Sequence, residues 1–252
     1  MLSLKELKRA VSILERRLAG STLQRIVQTD DLRLGVLFRG REAETALLLS
    51  CQPEFARIGA LQEMPKSPLA VPSFTQFMRA HLTHAAFGGT EVADTDRQAT
   101  IRLLTRDGPF ELLLSILGSR SNIYLLGPER KLAHAMRPLE ETRNELALGG
   151  PWSNPEGALR TEGVDRWEMV RDEEYLEDIE RHYRSLERTR RFESLARKIE
   201  ASLNKETGFL DRKALNLQED LGEARQAEMY KRSGELLKGE IIHHRCNHCN
   251  HP

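Results

Sequence analysis

The amino-acid sequence predicts an α+β fold, in which an antiparallel sheet with packed helices is followed by an α-helical coiled-coil hairpin. Short apolar or alternating segments separated by turn residues fill residues 1–140, as expected for antiparallel strands. A linker rich in glycine, proline and asparagine follows at 141–171. From 172 to 240 the chain has almost no proline and is dominated by Glu, Arg, Lys and Leu, which is typical of long helices.

Composition limits the classes of protein to which the chain can belong. Its 252 residues allow one or two domains, and its net charge of zero means that any nucleic-acid surface must be local. No apolar run approaches the roughly 20 residues that span a bilayer, and the first residues lack the apolar core of a signal peptide. Three cysteines, two of them in the tail, do not make a disulfide framework. We therefore expect a cytoplasmic protein without a membrane segment.

The first elements predicted along the chain are a helix and a meander of strands. Apolar residues recur at helical spacing through Ser3–Leu18, and Ala19-Gly-Ser ends that helix. Short turns then separate three predicted strands, namely Thr22–Gln28, Leu32–Phe38 and Glu44–Ser50.

A second helix and three further strands are predicted in the centre of the chain. Pro72 suits a helix start, because its missing N–H is not needed there, and the apolar residues from Phe74 to Leu82 make one helical face. The turn sequence Arg106-Asp-Gly-Pro joins two strands into a hairpin. The predicted strands are Ala99–Thr105, Phe110–Leu117 and Asn122–Leu126.

The last third of the chain predicts two paired helices. A heptad seam runs from Leu210 to Ala224, and apolar residues from Ile179 to Ile199 indicate an earlier helix on the same plan. The segment Asn204–Gly208 is the predicted reversal between them, which gives an antiparallel coiled-coil hairpin.

Three motifs in order resemble the N-terminal domain of the NFACT family. The first is the helix Pro72-Ser-Phe-Thr-Gln-Phe-Met-Arg-Ala-His-Leu, the second is the pair Asp96-Arg97 shortly before a strand, and the third is Gly118-Ser-Arg-Ser-Asn-Ile at the entry to another strand. The segment Ser50-Cys-Gln-Pro-Glu-Phe-Ala-Arg-Ile fits the same pattern, and the resemblance extends over Leu4–Leu139. This family includes the bacterial RqcH proteins, fibronectin-binding protein A-like proteins and the eukaryotic nuclear export mediator factor.

The resemblance implies a ribosome-associated quality-control factor. Such a factor binds the large ribosomal subunit and tRNA, and supports alanine tailing of stalled nascent chains. In this chain Asp96 and Arg97 correspond to the pair needed for tRNA recruitment, although such a pair taken alone is more often a turn residue beside a solvated charge. Arg57, Arg79 and Arg120 are candidate contacts to the RNA backbone, because the guanidinium group binds phosphate through two parallel hydrogen bonds. Ser121 and Asn122 are expected to cap their turn.

Two departures from the family pattern qualify this function. The helix-hairpin-helix segment is reduced to the linker, and the NFACT-R domain is absent, so a separate NFACT-R-containing protein is an expected partner. The alternative is an interaction protein without an RNA role, which includes the family's fibronectin-binding label and a homodimer formed through the coiled coil.

No catalytic or cofactor motif is evident. The chain starts Met1-Leu2, so the N-terminal proline nucleophile of similarly folded DNA glycosylases is absent, and no P-loop, HExxH or GxSxG motif occurs. We therefore expect no enzymatic activity and no cofactor. The tail 241–252 contains Cys246, Cys249, His244 and His248, which are zinc-ligating residue types. Because these four crowd together instead of forming two separated pairs, the tail is expected to be disordered and free of metal.

Overall fold

The computed structural model describes residues 1–93, 96–155 and 162–246, with side chains as far as residue 239. The described helices are α1 (Leu4–Leu18), α2 (Ser73–Leu82), α3 (Leu139–Thr142) and α4 (Tyr175–Cys246). The described strands are β1 (Thr22–Asp30), β2 (Arg33–Arg39), β3 (Glu44–Ser50), β4 (Arg57–Leu61), β5 (Ala86–Val92), β6 (Gln98–Thr105), β7 (Gly108–Ser115), β8 (Asn122–Leu126) and β9 (Leu132–Ala135). The chain forms two compact units, Met1–Arg188 and a second that begins at Thr189.

The described strands form one antiparallel sheet of nine strands in the order β4-β3-β2-β1-β5-β6-β7-β8-β9. Two meanders meet where β1 and β5 share a single residue pair, Thr22 with Ala86. The predicted α+β class is confirmed. The sequence prediction missed β5, because Gly88 and Gly89 weaken its strand character. A register shift between Phe87 and Gly89 marks a β-bulge, and Gly89 has a φ of +116° that favours glycine.

Helix α1 begins with a capping box. The Ser3 hydroxyl accepts the Glu6 amide at 3.2 Å, and the Glu6 carboxylate accepts the Ser3 amide at 2.8 Å. The helix then buries Leu7, Leu14 and Leu18 completely. It packs on both meanders through β4 and β5, so that the two halves of the sheet share one core.

Helix α2 covers the sheet from another position. Pro72 is its N-cap residue, and Phe74, Met78 and Leu82 are buried, as their spacing predicts. The helix contacts β1, β6 and β9. It therefore also joins the first meander to the second.

The described part of the segment predicted as a linker packs against α1. The Lys5 amide donates to the Glu162 carbonyl at 2.9 Å. Arg9 forms ion pairs with Asp165 at 3.1 Å and with Asp172 at 2.8 Å. These charge-assisted bonds extend the first compact unit to Arg188, well beyond the predicted boundary at residue 140.

The predicted reversal of the coiled coil is wrong, because Tyr175–Cys246 is one continuous helix. The segment Asn204–Gly208 holds no proline, and one glycine costs only about 1 kcal/mol relative to alanine inside a helix. The surrounding Leu, Glu, Lys and Arg residues favour helix and outweigh that cost. The helix also includes residues 241–246, which were predicted to belong to the disordered tail, whereas 247–252 lie outside the described residues.

Candidate nucleic-acid interface

The predicted tRNA-binding pair lies at the start of β6. The buried Asp96 carboxylate is turned onto its own loop, where Oδ1 accepts the Arg97 amide at 2.7 Å and Oδ2 accepts the Gln98 side-chain amide at 3.4 Å. The Asp96 carbonyl also accepts the Gln98 amide at 2.9 Å. Asp96 therefore fixes the backbone from which Arg97 extends, and acts as a positioning residue.

Arg97 is half-buried between the start of the chain and the end of β7. Its Nη1 donates to the Leu2 carbonyl at 3.3 Å, and its own carbonyl accepts the Ile116 amide at 2.9 Å. The turn that follows β7 starts at Gly118, whose φ is +65° and where an added Cβ would lie 4.0 Å from the Met1 Cε. The turn that carries Arg120 therefore begins beside the amino terminus.

A second arginine, Arg166, lies on the same side of the molecule. Its guanidinium forms a two-pronged ion pair with the buried Glu6, at 2.8 and 2.9 Å. It also donates to the Tyr183 hydroxyl at 2.7 Å and to the Met1 carbonyl at 3.2 Å. The group lies 4.6 Å from the centre of the Trp167 ring, within range of a cation–π contact. Although it is held in this way, the Arg166 side chain remains 45 % exposed.

Arg97 and Arg166 influence the titratable groups around Met1. Burial, reinforced by Arg166 and Arg97, lowers the pKa of the Met1 amino group to about 6. Burial also lowers the pKa of His182, and Arg166 lowers it further. Burial alone would raise the pKa of Glu6, but the bond from Arg166 keeps that pKa below its usual value. We call Arg97, Arg166 and the nearby Arg120 the amino-terminal arginine cluster.

Arg57 is a structural residue and does not present its charge to an RNA backbone. It is fully buried, with Nε 2.8 Å from Glu180 and Nη1 2.6 Å from Glu187. Nη1 also donates to the Phe55 carbonyl at 3.0 Å. The predicted RNA contact is therefore replaced by an ion pair that fastens β4 to the first turns of α4.

Arg79 also bonds within the fold. Its Nε and Nη2 donate to the Ile26 carbonyl at 3.0 and 2.7 Å, and Nη2 donates to the Ser67 hydroxyl at 3.2 Å. The half-buried side chain thus holds α2 against β1 and the proline-rich loop. The structure places it apart from the amino-terminal arginine cluster.

Arg120 is exposed, in the turn that the structure brings beside Met1. The Ser121 hydroxyl accepts the Leu117 amide at 2.9 Å, which confirms its predicted capping role. Asn122 has a wider role, because its side chain accepts the Arg137 amide at 2.9 Å and donates to the Arg137 carbonyl at 3.1 Å. These bonds hold β8 to the chain that follows β9, and Arg120 is exposed on the turn before β8.

Sequence reasoning missed Arg166, Trp167, Tyr183 and Glu6. The first two lie in the segment predicted as a linker, where a tryptophan is itself a signal of packing, since tryptophans are highly buried on average. From the sequence alone, Glu6 is a residue of the first helix, and its spacing from Ser3 is the one signal of a capping box. Its second role, as the partner of Arg166, joins residues far apart in the chain and has no local signal.

The side chains of the four predicted zinc ligands lie outside the described part of the chain. His248 and Cys249 lie outside the described residues, and the side chains of His244 and Cys246 are likewise outside them. Among the described side chains, no group of three or more His, Cys, Asp or Glu residues is arranged to hold a metal ion. Over the same described part of the chain, no helix is long and apolar enough to cross a membrane.

Three solved structures share the fold. The N-terminal part of the fibronectin/fibrinogen-binding protein of Streptococcus suis aligns with a TM-score of 0.57 and 23% identity over 63% of this chain and 62% of that one. The N-terminal domain of the fibronectin-binding protein PavA of Streptococcus pneumoniae gives 0.56 and 24%, over 65% of each chain. The fibrinogen-binding protein of Staphylococcus aureus gives 0.53 and 23%, over 62% of this chain and 56% of that one.

The chain thus spans less than two thirds of each of these three proteins, and the comparison concerns their fold. A search of curated proteins gives no match. Residues 4–174 match the family described as NFACT N-terminal and middle domains, which is more than half of the chain. The predicted resemblance is confirmed, and this chain belongs to the NFACT family.

Proposed function

We propose that this chain is a ribosome-associated quality-control factor, which binds the large ribosomal subunit and tRNA and supports alanine tailing of stalled nascent chains. It acts in the cytoplasm by binding, while the chemistry of tailing belongs to the ribosome. The observation that carries the proposal is that Arg97 and Arg166 donate to the Leu2 and Met1 carbonyls, while the turn that carries Arg120 begins beside the Met1 side chain.

The chemistry of this convergence suits a nucleic acid. Arginine binds phosphate through a planar fork of donors and remains charged at every physiological pH. Arg166 lies against the Trp167 and Tyr183 rings, 4.6 and 5.6 Å from their centres, so its orientation is fixed before a ligand arrives. Because the net charge of the whole chain is zero, this local cluster is the feature that would draw RNA to one face.

The structure dictates which variants test tRNA binding. Asp96→Ala would loosen the loop that holds Arg97, so the informative variant is Arg97→Gln combined with the exposed Arg120→Gln. Arg106→Gln is the matched control, because Arg106 is an exposed arginine of the β6–β7 turn, at the far end of β7 from Arg120. The eight residues of β7 separate the two sites by about 26 Å.

Binding is measured by fluorescence anisotropy with labelled tRNA, and then by sedimentation from cell lysate with sequencing of the bound RNA. We expect Arg97→Gln/Arg120→Gln to bind tRNA at least 10-fold more weakly while still travelling with the large subunit, with a change within twofold for Arg106→Gln. Wild-type protein that stays free of ribosomal subunits and tRNA would overturn the proposal. If Arg97→Gln/Arg120→Gln and Arg106→Gln lost tRNA affinity equally, the amino-terminal arginine cluster would no longer support the proposal.

A second candidate is an interaction protein without an RNA role, comparable to the relatives named for fibronectin and fibrinogen binding. The observation that favours it is the row of exposed apolar side chains along α4, such as Phe192 (73 %) and Ile199 (60 %). Exposed apolar surface of this extent marks interaction sites. The sedimentation experiment separates the two candidates, because this one requires no RNA in the bound fraction.

A further inference from the structure

The part of α4 that belongs to the second compact unit, described to residue 239, carries a regular apolar face. Its members are at least half exposed: Phe192 73 %, Leu195 50 %, Ile199 60 %, Leu203 60 %, Leu210 59 %, Leu217 54 % and Leu221 58 %. Ala214 is also exposed and lies on the same face. We call these eight residues the apolar seam. A helix with such a stripe, if it remained unpaired in water, would leave most of its apolar area hydrated.

The spacing of the apolar seam is regular. From Phe192 to Leu221 the positions advance by three, four and four residues in repetition, with Glu206 occupying the one polar position. This is an 11-residue repeat, and its 3.67 residues per turn almost match the 3.6 of a straight α-helix. The seam therefore stays on one side of α4 along its length, which is the arrangement that a second, nearly straight helix can follow.

Four residues of the seam are symmetric about the level of residue 208, whereas Leu203 and Leu210 have Lys213 and Glu206 at their mirror positions. Leu195 and Leu221 lie thirteen positions on either side of it, and Ile199 and Leu217 lie nine positions on either side. If two identical helices run antiparallel with their two-fold axis at this level, each of these residues faces its mirror position in the other copy. Such self-complementarity is what an isologous interface requires.

Charge supplies an independent argument for the direction of pairing. Residues 189–198 carry four basic side chains and one acidic side chain. The mirror segment 218–227 carries three acidic side chains and one basic side chain. Antiparallel pairing sets the basic segment of one copy against the acidic segment of the other, and it places Arg197 opposite Glu219. Parallel pairing would set each segment against its own like charge.

We propose that the apolar seam pairs two copies of this chain in an antiparallel, two-fold symmetric dimer whose axis passes at the level of residue 208. The occupant of the seam is thus a second copy of α4. This proposal is independent of RNA binding.

A matched pair of leucines tests the seam. Leu217 lies in it, whereas Leu215, two residues earlier, points about 200° away around the helix and is equally exposed, at 58 % against 54 %. Leu217→Asp is expected to raise the dissociation constant of the dimer at least about 100-fold, because two buried leucines are lost per dimer. Leu215→Asp is expected to leave it unchanged. The masses are measured by sedimentation equilibrium, against 28.8 kDa for one chain.

Two further variants test the register and the direction. Glu206→Leu fills the polar gap in the seam and is expected to tighten the dimer. A spin label at Ser194→Cys, with Cys246 and Cys249 replaced by serine, is expected to give an interlabel distance near 42 Å, from 28 residues at a rise of about 1.5 Å. A parallel dimer would give a distance below about 20 Å. That short distance, equal effects of the two leucine variants, or a wild-type monomer at tens of micromolar would each overturn the proposal.

Discussion

The buried ion pairs of Arg57 with Glu180 and Glu187 give the sharpest prediction about stability. The Arg57 side chain is fully buried, and its partners Glu180 and Glu187 are only 5 % and 10 % exposed. Burial opposes the charge on Arg57, but the bonds to Glu187 and Glu180 raise its pKa above the usual value. Arg57→Met keeps most of the apolar stem and removes the cation.

The magnitude follows from what Arg57→Met leaves behind. Glu180 and Glu187, which lie about two turns apart on α4, then have little access to water; Glu180 keeps its contact with Arg184 at 3.4 Å, and Glu187 keeps its contact with Arg33 at 3.5 Å. Breaking a buried ion pair by removing one partner costs about 3–5 kcal/mol, because an uncompensated charge stays buried. The control is Arg39→Met, which removes an exposed pair with Glu44 whose members are 61 % and 48 % exposed. Such surface pairs contribute about 0–1 kcal/mol.

The assay is urea unfolding followed by tryptophan fluorescence. Both tryptophans of the chain, Trp152 and Trp167, lie in the first compact unit, so the signal reports that unit and not the second one. We expect Arg57→Met to lower the free energy of unfolding by about 3–5 kcal/mol, and Arg39→Met by less than about 1 kcal/mol. If both variants lost the same free energy of unfolding, the reasoning that burial determines how strongly the Arg57 ion pairs stabilise the fold would be refuted.

Three further predictions concern Glu6, Cys51 and two glycines. The pKa of Glu6 is lower in the folded protein than in the unfolded chain, so ionised Glu6 stabilises the fold above its unfolded pKa, and this effect is lost as the pH falls through its folded pKa. Wild type should therefore lose more unfolding free energy than Glu6→Gln between about pH 5 and 3. Urea unfolding at each pH measures this difference. Burial raises the pKa of the Cys51 thiol to about 12, so a variant without the two tail cysteines should react with a thiol reagent at pH 8 only after unfolding. Gly59→Ala places a Cβ 2.8 Å from the Glu180 Cβ and should cost about 1–3 kcal/mol, whereas Gly208→Ala meets nothing within 4 Å and should raise helix stability by about 1 kcal/mol, as followed by circular dichroism.

Local patterns predicted the elements that depend on local rules. The prediction of Asn122–Leu126 matches β8 residue for residue, and the helix beginning after Pro72 was predicted from proline geometry and apolar spacing. The joining of two meanders through β1 and β5 was beyond such reasoning, because it depends on a single pair of residues 64 positions apart. The predicted hairpin failed for a different reason: a weak local break in the helix, Asn204–Gly208, was given more weight than the strong helix formers on both sides.

The candidate site shows why arginines of similar local sequence have different roles. Arg57 is the first residue of β4 and Arg97 directly precedes β6, and nothing in the neighbouring residues separates a buried guanidinium from one near the surface. The hydrogen-bond acceptors of the two arginines differ. Arg57 donates to the carboxylates of Glu180 and Glu187, 123 and 130 positions away in the chain, whereas Arg97 donates to the Leu2 carbonyl, 95 positions away. Because a buried cation requires carboxylate partners, a fully buried arginine such as Arg57 is excluded as an RNA contact, whereas an arginine with an exposed side chain is retained. By that criterion Arg120, which the structure leaves exposed beside the amino terminus, is the first residue to replace, and Arg57 is the one to leave intact.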